Sequence, residues 1–187
     1  EQMIRLRQFV EFPEVVGFPK LSSLKLEWLK EIYESVDKIV VFSFFRSTNE
    51  LLAKYFDTPY VIHGGIEPDE RLPMVQRFNS VKGKAILIST DAGRFGLDMV
   101  GADTIVHFGY FFNPATMVQR EDRLHRIGQE KTVNVLRPYL ENTVDEGIRS
   151  VYMRRLSDAI DFMENNEHAA IQRFTKRDFQ KIVFGQK

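Results

Sequence analysis

Residues 119–129 read QREDRLHRIGQ. Two of the arginines, Arg123 and Arg126, stand three residues apart. Arginine is a planar, permanently charged donor that grips carboxylate or phosphate oxygens with paired hydrogen bonds. Upstream, Asn113-Pro114 is a helix start signal, since Asn caps and Pro suits the first turn, and Gly128 is a stop signal. The spacing predicts one helix over 114–127. At the helical repeat, Gln119, Arg123 and Arg126 fall within roughly 60° of one another. Leu124 and Ile127 form a neighbouring apolar stripe that pins the helix to a core. Two readings follow. In one, the stripe is a solvated charged face with Arg123 paired to Asp122 or Glu121. In the other, two guanidiniums point at a ligand with several anionic oxygens, such as a triphosphate.

The segment before it bears on that choice. Residues 88–103 read ISTDAGRFGLDMVGAD. An apolar run ends in Ser89-Thr90, followed by a glycine-punctuated turn. Hydroxyls and free backbone N–H groups at the C-terminal end of a strand suit phosphate oxygens in open α/β sheets. His63 and His107 each follow an apolar strand residue, where a lone histidine is more often structural than catalytic, His107 more so than His63.

The elements that must position these groups are legible. Five apolar, β-branched runs read as strands: 39–43, 60–63, 85–90, 104–108 and 132–137. Helical spacing lies between them at 24–36, 49–56 and 69–78, the last preceded by Pro68 at a first-turn position. Runs such as IVVFS and AILIS are apolar at nearly every position, as in strands covered on both faces. Strands alternating with helices predict an α/β fold around a mainly parallel sheet. A helix and loop precede it, and 144–163 reads as a long helix, with another after Thr175. The expected division is an N-terminal helix and linker (1–22), the α/β lobe (23–145) and a helical extension (146–187). Arg154-Arg155 reads as a solvated helix face, and the Phe108–Phe112 turn as packing.

With 187 residues, 43% of them hydrophobic, the chain is long enough and apolar enough for a real core. It carries 26 basic and 26 acidic residues, so any nucleic-acid binding depends on local patches rather than net charge. The absence of cysteine removes disulfides, thiolate catalysis and cysteine-bound metals. No apolar run approaches a membrane span and no signal peptide is legible. Because the chain begins at Glu1 and not Met, a fragment of a larger protein is expected.

The block 88–129 resembles motifs V and VI of the second RecA-like lobe of superfamily-two helicases, and is most similar to the Swi/Snf-type DNA-dependent ATPases. The resemblance runs nearly the whole chain: RLRQFVEFP (5–13), KLSSLKLEWLKEI (20–32), KIVVFSFFRSTNELLAKYF (38–56), VIHGGIEPDERLPMVQRFN (61–79) and TVDEGI (143–148) each resemble family segments. It implies a RecA-like open, mainly parallel sheet flanked by helices, with helical extensions at both ends. It also implies the second lobe of an ATP-dependent translocase whose ATP, with Mg²⁺, sits between two lobes. The Mg²⁺-binding acids belong to an N-terminal RecA-like ATPase lobe of the same parent chain. Arg126 and Arg123 are then the arginine fingers. Gln119, Gly96 and Asp98 lie near the nucleotide, with Asp98 near the ribose or holding a finger. Ser43, His63, Gly64, Ser89 and Thr90 touch the backbone of a nucleic acid, duplex DNA foremost. The implied setting is intracellular and DNA-associated.

The chain departs from that pattern at several places. The family's basic residue after Ser-Thr is Asp91, its second paired glycine is Arg94, and its common Asn is Asp98. TDAGRFGLD has instead the spacing of DEAD-box helicases. The usual Asp before the WNP turn is Gly109, and its Trp is Phe112. A DEAD-box-like RNA or DNA helicase lobe and a non-catalytic binding module therefore stand as alternatives. There is no G-x-x-x-x-G-K-[ST] phosphate loop. Neither Asp69-Glu70 nor Asp145-Glu146 follows an apolar strand as Mg²⁺-binding acids do. The chain by itself is expected to show no ATP hydrolysis; turnover by the purified chain that disappears with Arg126→Ala would refute this.

Overall fold

The computed structural model describes residues 1–90 and 97–165. Five strands form one sheet in the order β2-β3-β1-β4-β5. They are β1 (Lys38–Phe42), β2 (Val61–Ile62), β3 (Ala85–Ser89), β4 (Thr104–His107) and β5 (Asn134–Leu136). Every pairing is parallel. All five expected strands are present, each within three residues of its expected bounds. The register aligns Phe42 with both Ser89 and His107, and Ser89 with Ile62. Ser43, His63, Thr90 and Phe108 therefore share the C-terminal edge of the sheet.

The apolar strands are covered on both sides, as their composition requires. Ile39, Val41, Ile86, Ile88 and Val106 pack with Leu26 and Leu29 of α2 (Leu24–Ser35) and Leu52 of α3 (Arg46–Phe56). Val40, Phe42, Leu87 and Ile105 face the other way, against Val75 and Phe78 of α4 (Pro68–Ser80) and against Leu97, Met99 and Leu124. Ser23 caps α2 by accepting the Leu26 N–H at 3.1 Å, and Pro68 opens α4 as expected.

Helix α5 (Pro114–Glu121) begins as predicted, with the Asn113 side chain accepting the Ala115 N–H at 3.0 Å. It ends earlier than predicted. The expected helix over 114–127 is corrected to one that stops at Glu121. A continuing helix would commit the Arg123 carbonyl to residue 127, but that carbonyl accepts the Met99 N–H at 3.0 Å. The next turn tightens, with the Leu124 N–H on the Glu121 carbonyl at 3.0 Å, and Leu124 enters the core with no exposure. Ile127 stays fully exposed, so the expected Leu124/Ile127 stripe is only half a core contact.

The first helix, α1 (Gln2–Glu11), and the last, α6 (Val144–Asn165), pack beside the sheet's C-terminal edge through Val10, Val144, Ile148 and Tyr152. The helix expected after Thr175 lies outside the described residues. Three cations from three helices bind alternate carbonyls of the Phe-rich segment. Lys25 Nζ donates to Phe108 O, Arg7 Nη2 to Tyr110 O and Arg155 Nη1 to Phe112 O, each at 2.9 Å. Arg155 is thus not part of a solvated face. Carbonyls that end a strand need partners, and main-chain acceptors inside a core are nearly always satisfied. Lys25, 1% exposed, also forms a buried ion pair with Asp145 at the start of α6. Lys25→Ala leaves that carboxylate buried and unpaired, and is expected to cost about 3–5 kcal/mol. Lys25→Met together with Asp145→Leu is expected to recover most of the loss in equilibrium denaturation; a single-variant cost near zero would contradict the pairing.

Candidate functional site

Between β3 and β4 the described part of the connection, Leu97–Asp103, contains no helix. It is held from outside by two neighbours. Asn79, at the end of α4, donates from Nδ2 to the Asp98 carbonyl at 2.8 Å and accepts the Gly101 N–H at 3.0 Å. A Cβ on Gly101 would stand 2.6 Å from Asn79 Cα, so this approach requires glycine. From the other side come residues after α5. The Met99 N–H reaches the Arg123 carbonyl, and Gln129 Nε2 donates to the Val100 and Ala102 carbonyls at 3.3 and 2.7 Å. Lys131 closes the seam on Asp103 at 3.0 Å. Gln129 and Gly128 thus act in the turn itself, Gly128 taking φ 103°.

This seam places the two arginines differently. Arg123 is buried, 8% exposed, with its guanidinium inside the lobe. Arg126 is exposed, and its Nη1 lies 3.1 Å from Asp98 Oδ1. Both partners of that pair are about half exposed, at 46% and 48%. An ion pair so exposed contributes little to stability, but it aims the guanidinium. The expected single stripe of two parallel guanidiniums is corrected, because the helix that would align them ends first. Gln119 lies exposed on α5, and Gly96 lies outside the described residues.

The end of α5 is fixed by a buried bracket. Glu121 Oε1 accepts from His107 Nε2 at 2.9 Å and Arg137 Nη2 at 2.5 Å. Its main-chain carbonyl receives the N–H groups of Leu124 and His125. Burial alone would raise the Glu121 pKa; the hydrogen bond from His107 and the charge of Arg137 outweigh it and bring it below the ordinary value. Burial lowers the pKa of His107, against the opposing pull of Glu121. Both directions give a neutral imidazole donating through Nε2–H to an ionised carboxylate. Glu121 thus serves His107, Arg137 and the turn that follows the helix. Next to it Arg120, 2% exposed, lays its guanidinium 3.9 Å from the Phe111 ring centroid and 4.8 Å from that of Phe42.

Residues 24–128 match the helicase conserved C-terminal domain family. The chain belongs to that family. Its relatives are of Swi/Snf type: it is 35% identical over 157 residues to protein CHROMATIN REMODELING 19 of Arabidopsis thaliana, covering 79% of this chain and 21% of that protein. In fold it is similar to the Sulfolobus solfataricus SWI2/SNF2 ATPase C-terminal domain, with TM-score 0.68, 22% identity, and 97% and 79% of the two chains covered. It is also similar to the core of that ATPase solved in complex with dsDNA, with TM-score 0.67, 24% identity, and 97% and 41% covered. The expected RecA-like lobe and the Swi/Snf resemblance are both borne out. The chain spans about a fifth of the length of that Arabidopsis relative.

In this helicase C-terminal lobe the residues expected at the strand ends divide by exposure. Ser43 and Ser89 have none, and their hydroxyls are engaged internally, Ser43 with Glu11 at 3.2 Å and Ser89 with the Thr90 carbonyl at 2.8 Å. A direct phosphate contact from either would require its hydroxyl to leave that partner. Thr90 is partly exposed and Gly64 is exposed. His63 is mostly buried and accepts the Gly65 N–H on Nδ1 at 3.0 Å. Burial, and then the charge of Arg46, lower its pKa. Arg46 was not anticipated. It opens α3, is exposed, pairs with Glu50 at 2.7 Å, and leans over Gly65, where a Cβ would meet Nη1 at 2.9 Å. Its signal in the sequence is a lone basic residue directly after an apolar strand and the two Phe.

The lobe is expected to lose stability in acid. His63 and His107 have folded pKa values below their ordinary one, so the unfolded chain binds more protons once pH falls below about 6.5. The stability present at neutral pH is then lost with falling pH. His107→Gln keeps a donor toward Glu121 and is expected to flatten that pH dependence. Denaturation curves from pH 7 to 5 measure it, and an unchanged slope would contradict a neutral, buried His107.

Proposed function

We propose that this chain is the second motor lobe of an ATP-dependent DNA translocase, with Arg126 as its arginine finger. The observation that carries the reading is the exposed Arg126 guanidinium, oriented by Asp98 on a turn bonded to the β3–β4 connection. A guanidinium so placed can follow charge that develops on a transferring phosphoryl group. In this reading ATP lies between this lobe and an N-terminal ATPase lobe of the parent chain, whose acids hold Mg²⁺. Arg123, buried at the seam, supports the turn and reaches the nucleotide only with rearrangement. Gln119 faces the same cleft.

The strand-end edge is the nucleic-acid side. Thr90, Gly64, His63 and the unanticipated Arg46 offer hydroxyl, main-chain and guanidinium donors to phosphates, contacts that position without reading sequence. Duplex DNA is the proposed track, supported by the fold shared with an ATPase core solved on dsDNA. A DNA-associated location follows from the same reading. The spacing of TDAGRFGLD and the carboxylate of Asp98 favour the alternative, a DEAD-box-like lobe acting on RNA or single strands.

The test is ATP turnover by the two-lobed parent with duplex DNA, single-stranded DNA, RNA or nothing added. Stimulation by duplex DNA, together with a fall of about 10³–10⁵-fold in kcat for Arg126→Ala, is expected. Stimulation by RNA or single strands alone would replace this reading with the alternative. An unaltered rate for Arg126→Ala would remove the finger assignment.

A further inference from the structure

The loop after β1 leads to α3 on one face of the sheet, and the loop after β4 leads to α5 on the other. Where neighbouring loops diverge in this way, open parallel sheets leave a crevice at the C-terminal edge in which ligands bind. Here the crevice between β1 and β4 is filled by a side chain from α1. Glu11 is 2% exposed. Its Oε2 accepts hydrogen bonds from Thr48 Oγ1 at 2.7 Å and Ser43 Oγ at 3.2 Å. Ser43 Oγ in turn accepts the Phe45 N–H at 3.1 Å. One carboxylate therefore orders the turn from β1 into α3, at whose start Arg46 stands.

The opposite wall of the crevice is Gly109. A Cβ there would lie 2.5 Å from Glu11 Oε1, far inside contact distance. Gly109 is not among the residues with positive φ, so its backbone does not demand glycine. Its missing side chain is explained by the carboxylate beside it. Burial works against the charge of Glu11, with Lys25, the Thr48 hydrogen bond and Arg7 opposing.

We propose that Glu11 is a positioning residue. The acid of this crevice is delivered from α1, not from the end of β4, and it sets the turn on which Arg46 meets nucleic acid; an acid placed at 109 is expected to exchange for it. That exchange is a property of the lobe alone; its effect on nucleic acid rests on the proposed function.

The test is a double-mutant cycle of Glu11→Ala and Gly109→Asp. Unfolding of the protein is followed for each single variant and for the pair. Each single change is expected to lower Tm, the first by removing the acceptor of Ser43 and Thr48, the second by collision and like charge. The pair is expected to recover at least half of the loss caused by Glu11→Ala. Where Glu11→Ala does not fold, recovery of cooperative unfolding in the pair is the readout. Glu11→Gln with Gly109→Asp keeps the volume and is expected to show no recovery. Additive losses in the first pair, or equal recovery in the second, overturn the exchange. In the two-lobed parent, Glu11→Ala is expected to raise the DNA concentration for half-maximal stimulation about tenfold, with a smaller effect on kcat, and the pair to restore it. An unshifted concentration overturns the positioning role. Absence of DNA stimulation in the unaltered parent would instead fail the proposed function, and the unfolding cycle would still decide the exchange.

Discussion

The bond between the Met99 N–H and the Arg123 carbonyl is the contact on which the site depends. The described connection from β3 to β4 has no helix to stiffen it, so its geometry comes from what lies against it. Asn79 holds it from α4, and Gln129 and Lys131 hold it from beyond α5. The same bond ends α5 by taking a carbonyl that the helix would have used. Leu124 then turns into the core, while Arg126 and Ile127 turn out. One backbone hydrogen bond thus joins the two segments with the most distinctive sequences and decides which arginine meets solvent.

Much of the fold could be read from the residues. The strands were legible because a parallel strand covered on both faces is apolar at nearly every position, as in Ile39–Phe42 and Ala85–Ile88. The starts of α4 and α5 were legible because Pro68 and Asn113 act locally. The end of α5 was not. Gly128 offers a stop signal and Leu124 and Ile127 fit a helical stripe, yet the helix is ended by a residue 24 positions earlier in the chain. The separation of Arg123 from Arg126 follows from that long-range bond, so no local pattern could show it. The pairing of Asp98 with Arg126 was named as one of two roles for that acid, and the geometry places the two in contact.

Buried charges were the least legible feature. Arg7, Glu11, Lys25 and Asp145 carry no local sign of burial, and all four are buried. Burial of a charge is costly unless it is paired or hydrogen-bonded. Here the requirement is met by carbonyls at the end of β4, by hydroxyls after β1 and by the charges themselves. The consequence is that α1, α2 and α6 are tied to the sheet edge on which the strand ends converge. The terminal helices are part of how that edge is shaped.

The measurement that decides most directly is a structure of the two-lobed parent bound to ADP, Mg²⁺ and a fluoride mimic of the transferring phosphoryl group. The distance from the Arg126 guanidinium to the mimic is the quantity to read. Hydrogen-bond contact, at about 2.7–3.1 Å, with the turn still bonded to Met99, is the predicted result. A mimic contacted by Arg123 or by another residue, with Arg126 left on the surface, would contradict the assignment.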